Sequence, residues 1–177
     1  KQTIVHQAVV DADGAITDTV LIRREHTGIA GEKLYGQTNI DYIRLYVPLD
    51  SKLISAGGFT WPDEASFKAP ETYYKKDLTL KQTEKELGFD TESGTRITSE
   101  FGKTVFGNWI ITEPGETSEA QFTYRLPFKA VEIENKNPTD GWKNIFVTAN
   151  NKIVRYQLIA QKQSGMNSAF ESQIIFP

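Results

Sequence analysis

No cysteine, one methionine and only two histidines occur among the 177 residues of this chain. The missing cysteine excludes disulfides, thiolate metal sites and cysteine nucleophiles, so the fold rests on its apolar core. Two histidines, His6 and His26, leave little imidazole for a metal centre or a proton relay. Long apolar runs are also missing. Stretches such as Val20-Leu21-Ile22 span two or three residues, against the roughly 20 that a membrane helix needs. Neither sign of charge dominates, with 20 Lys and Arg against 23 Asp and Glu and a net charge of −3. That balance removes the electrostatic ground for a nucleic-acid or anionic-bilayer partner. No Asn-X-Ser/Thr acceptor with a residue other than Pro at X is present.

What is there is a globular composition, 38% hydrophobic and 24% charged, in a chain of about one domain's length. Its pattern has a period of two. In Asp41–Val47, Ile43, Leu45 and Val47 fall on one side and Tyr42, Arg44 and Tyr46 on the other. The same alternation sets Phe122, Tyr124 and Leu126 against Thr123 and Arg125, and Val154, Tyr156, Leu158 and Ala160 against Arg155, Gln157 and Gln161. One apolar and one mixed face is the pattern of an antiparallel sheet covered on one side. Turn residues punctuate it: Asp11-Ala12-Asp13-Gly14, Pro48-Leu49-Asp50-Ser51, Pro114-Gly115-Glu116-Thr117 and the Gly165 region. The expectation is one all-β domain over residues 1–177, an antiparallel β-sandwich of immunoglobulin-like Greek-key type with about eight strands; a closed β-barrel is the runner-up. Residues 57–93 read as a long irregular insertion holding one short helix, capped by Thr79 with Gln82 as its partner, with Leu80 and Leu87 on one face and Gly88 as its stop. Residues 132–143 read as a polar loop.

Several motifs resemble reactive sites but lack a part that the chemistry needs. Gly102-Lys103-Thr104 ends like a phosphate-binding loop, yet Ile97 stands where the first Gly belongs and strand-like sequence flanks both sides. Asp11-X-Asp13-Gly14 opens like a calcium loop, but Ile22 replaces the bidentate Glu, which leaves a hairpin turn. His26 follows Glu25 at a strand end without a nucleophile motif beside it, and His6 with His26 makes a two-ligand zinc site at most. A self-formed Lys–Asn isopeptide bond would need a buried lysine touching an amide and a carboxyl. No cofactor or metal is expected. Trp61, Tyr73 and Tyr74 cluster in the insertion, with Trp142 in the other loop; they either cover a sheet edge or offer rings to a sugar or peptide.

An ordered set of segments adds a resemblance. Asp13-Gly14-Ala15-Ile16 is followed by Arg24-Glu25-His26-Thr27-Gly28, by Asp41 through Pro48 and by Leu53 through Phe59. Then come Glu100-Phe101-Gly102-Lys103-Thr104-Val105-Phe106-Gly107, Pro114-Gly115-Glu116-Thr117, Tyr124-Arg125-Leu126-Pro127, and Tyr156-Gln157-Leu158 leading to Gln161–Gly165. Together they resemble the C-terminal part of the bacterial family called domain of unknown function 4012, over most of residues 10–177 apart from 60–98 and 131–145. The resemblance implies an outward-facing, membrane-anchored cell-envelope parent with a larger N-terminal part, in line with a chain that opens at Lys1 directly into a strand pattern. It implies no reaction and no catalytic residues. It does suggest a role for Arg44, Glu100 and Lys103 as paired charges that fix turns at one end of the sandwich. The functional expectation is a non-catalytic structural or interaction module outside the cytoplasm, with a cell-wall glycan or another envelope protein as partner and no insertion of this part into the membrane. The alternatives are a glycan- or peptide-binding module using Trp61, Tyr73 and Tyr74, and an accessory domain of an envelope enzyme whose active site lies elsewhere.

Overall fold

The computed structural model describes residues 1–75, 77–130, 132–133, 153–154, 156–161 and 168–176. Its elements follow from the alternation. They are β1 (Gln2–Val10), β2 (Ala15–Glu25), β3 (Asn39–Pro48), β4 (Lys52–Gly57), a 3-10 turn at Glu64–Ser66, α1 (Leu78–Thr83), β5 (Lys85–Asp90), β6 (Thr95–Glu100), β7 (Lys103–Thr112), β8 (Thr117–Lys129), β9 (Glu132–Ile133), β10 (Ile153–Val154) and β11 (Ser168–Ile175). A five-stranded sheet runs β11-β1-β2-β8-β4 and a four-stranded sheet runs β3-β7-β6-β5, with β9 and β10 as a separate pair. All pairings are antiparallel except β1 with β11, which is parallel. Both sheets end in open edges, so the closed barrel is ruled out.

The two sheets bury their apolar faces against each other. Phe106 of β7 stands 5.7 Å from Tyr124 and 6.1 Å from Phe122, both on β8, and Phe59 packs on Phe122 at 4.6 Å. Ala8, Val10, Ile16, Val20, Ile22 and Leu126 complete this core from the larger sheet, and Val47 joins from β3. The chain crosses between sheets after β2, β3, β4 and β7. Thus Pro114-Gly115 is a crossing and not a hairpin. Gly115 takes φ +82° beside a Glu116 N–H donating to the Glu113 carbonyl, the geometry in which a side chain at that position would be strained. Phe101 and Gly102 both have positive φ and close the two-residue β6–β7 hairpin.

Three expectations need correction. The helix starts earlier, at Leu78, because the Asp77 carboxylate accepts the N–H groups of Thr79 and Leu80 at 2.8 and 3.2 Å; it is over by Thr83. Leu87 and Gly88 belong to strand β5, so the irregular insertion ends at Lys85 and not at residue 93. Leu87 and Phe89 suit a half-exposed strand, and a carboxylate turn at Asp90–Ser93 with Gly94 at φ +72° returns the chain into β6. Finally, the alternation at residues 154–160 does not yield a long strand: only Ile153–Val154 pairs, with β9, and residues 156–161 are irregular. The polar loop at 132–143 and Trp142 fall outside the described residues except for β9. No helix among the described residues is long and apolar enough to cross a membrane.

Because Phe106 bridges the two sheets, Phe106→Ala is expected to cost about 3–5 kcal/mol in urea unfolding. Leu49→Ala, at a 43%-exposed turn position, should change stability by under about 0.5 kcal/mol.

Candidate functional site

Four inward positions of β1 and β2 are polar, Gln2, His6, Asp18 and Arg24, and of these His6 and Asp18 are fully buried. His6 shares a face with Ile4 and Ala8, and Asp18 shares one with Ile16 and Val20; their exposures are 2% and 3%. Register pairs His6 with Val20 and Ala8 with Asp18, which sets the two groups diagonally across β1 and β2. The imidazole Nε2 lies 3.5 Å from Asp18 Oδ2 and 3.4 Å from the Tyr156 hydroxyl, while Nδ1 is 3.0 Å from Ser172 Oγ on β11. Tyr124 completes the group. Burial, followed by the charge of the nearby Asp18 carboxylate and hydrogen bonding to it, holds the phenols of Tyr124 and Tyr156 well above the usual tyrosine range. Among the described residues, Asp18 Oδ1, Gln2 Oε1 and Arg24 Nε are buried without a close hydrogen-bond partner.

These groups floor a cleft of about 1040 Å³. Ile4 and Ile22 from the larger sheet, Ile43 and Leu45 from β3 and Phe170 from β11 line it together with Arg24, Arg44, Lys103 and Lys129, with residues 156–161 at one side. An apolar cleft with a few converging polar groups is the usual form of a binding site. Ser172, His6 and Asp18 also follow the order of a serine hydrolase relay. Yet Ser172 sits in mid-strand and not on a strained turn, and the carboxylate is 3.5 Å from the ring, longer than a good hydrogen bond. The arrangement suits a polar floor waiting for a donor.

The residues singled out in the sequence lie elsewhere. Glu100, 3% exposed, is saturated: Arg44 pairs with it, the Tyr46 hydroxyl donates to Oε2 at 3.0 Å and Thr98 Oγ1 to Oε1 at 2.7 Å. The Arg44 guanidinium also lies 5.4 Å from the Tyr46 ring centroid. Burial raises the Glu100 pKa, but the bonds from Thr98, Arg44 and Tyr46 outweigh it and hold the carboxyl below its usual value. Lys103 stands opposite Glu100 across the β6–β7 hairpin, exposed, and is not among the groups bound to that carboxylate. Trp61 donates its indole N–H to the Gly94 carbonyl at 3.3 Å and meets Phe89 edge-on at 6.4 Å. Tyr73 and Tyr74 pack on each other at 4.8 Å. The structure therefore brings the two tyrosines together and gives Trp61 a different aromatic partner.

His26 and His6 do not meet. His26 Nε2 donates to the Gln37 carbonyl at 2.9 Å and Nδ1 accepts the Gly28 N–H at 3.0 Å, so both nitrogens organise the β2–β3 loop. Asp11 and Asp13 bind Arg125 and Lys129 at 3.0 and 2.8 Å, tying the β1–β2 turn to β8. Every lysine among the described residues is exposed, which leaves the isopeptide bond without its buried lysine there. Among the described residues, no three His, Cys, Asp or Glu side chains gather as metal ligands would.

The sequence reading missed the His6–Asp18 floor, although a signal was present. Both residues occupy core parity in otherwise apolar strands, and a polar group there must find a partner. No protein-family model, curated protein or solved structure matches this chain.

Folding lowers the Glu100 pKa, so the ionised carboxylate stabilises the fold above its usual value near 4.5. That contribution fades as pH falls through the lowered value. Glu100→Gln should cost about 1–3 kcal/mol at neutral pH and should flatten the decline of Tm below about pH 5. Thermal melts across pH 3–7 check both effects.

Proposed function

We propose that this domain is a β-sandwich serving as a non-catalytic interaction module of a bacterial cell-envelope protein, outside the cytoplasm, and that it holds its partner in the cleft between the sheets. The observation that carries the reading is the cleft itself, where Asp18 Oδ1, Gln2 Oε1 and Arg24 Nε are buried without a close partner among the described residues. An unsatisfied buried polar atom costs about 1–3 kcal/mol, and a ligand that supplies the partner recovers it. A non-catalytic role is supported by the way the other polar groups are used: His26, Glu100, Asp11 and Asp13 all hold turns or strands in place. The cellular setting rests on the resemblance of the ordered segments to the domain of unknown function 4012 family. The immunoglobulin-like reading rests on the order β1-β2-β8-β4 and on the crossings after β2 and β3. The meander β5-β6-β7, which precedes β8 in the chain, departs from that pattern.

One observation favours a second reading. Trp61, Tyr73 and Tyr74 are 56%, 72% and 63% exposed, and such rings can stack on sugar faces. In the accessory-domain alternative, the same cleft would hold a neighbouring part of an envelope enzyme.

Amide chemical shifts followed during titration separate these readings. Addition of short envelope-protein peptides should move resonances of β1, β2 and β3 around the cleft. Movement confined to residues 58–75 on adding cell-wall glycan fragments would transfer the function to the exposed rings. No movement with any peptide or glycan would overturn the proposal.

A further inference from the structure

We draw no further inference here: the strongest candidate, the line of cations Arg24, Arg44, Lys103 and Lys129 along the cleft between the sheets, belongs to the site already described, and the ion pairs of Arg24 with Asp41, Arg44 with Glu100 and Lys129 with Asp13 neutralise most of the charge that would name its ligand.

Discussion

The contact between the two inner sheet faces governs this molecule. Phe106 from one sheet lies against Phe122 and Tyr124 from the other, and a residue's fate depends on whether its strand parity points it toward that contact. Because side chains alternate strictly along a strand, each sheet has no choice about which set it buries. The repeated crossings between sheets follow from the same demand, since short turns at Pro48–Ser51 and Glu113–Glu116 place consecutive strands on opposite layers.

Polar groups caught on or near buried faces show two outcomes. Glu100 is surrounded by a guanidinium and two hydroxyls, and Asn108 donates to Ser93 and Thr95 while accepting the Trp109 N–H. Both are spent within the domain and serve to fix hairpins. Asp18 is different. It has His6 at 3.5 Å and two phenols hydrogen-bonding it, yet among the described residues Oδ1 has no close partner. Burying a carboxylate is costly, and the proposed interaction role gives that cost a use.

The functional reading joins two features of one region: the cleft, and buried polar atoms on its floor without a close partner among the described residues. Each alone occurs in many β proteins, and the proposed interaction role rests on their coincidence. The aromatic residues of the 58–75 stretch are a weaker basis, because Trp61 is engaged with Gly94 and Phe89 rather than with the tyrosine pair.

Local chemistry in the sequence determined the all-β class, most strand positions and the turn at Asp13-Gly14, because alternation and the positive-φ preference of glycine act over a few residues; the positive φ of Phe101 is imposed by the β6–β7 pairing. Strand β5 escaped that reading, since Leu80 and Leu87 also fit a helical face over so short a span and only pairing with β6 decides between them. The resemblance suggested paired charges among Arg44, Glu100 and Lys103; the structure pairs Arg44 with Glu100 and leaves Lys103 out, and the added bond from Tyr46 depends on a strand far away in the chain. The His6–Asp18 floor was visible only as polar residues at core parity. Its meeting with Tyr156 and Ser172, about 150 and 166 positions away from His6, was decided by tertiary structure alone. Sequence patterns specify which face of a strand is buried; which strands then lie next to one another, and where a sheet stops, is settled by the packing of the whole chain.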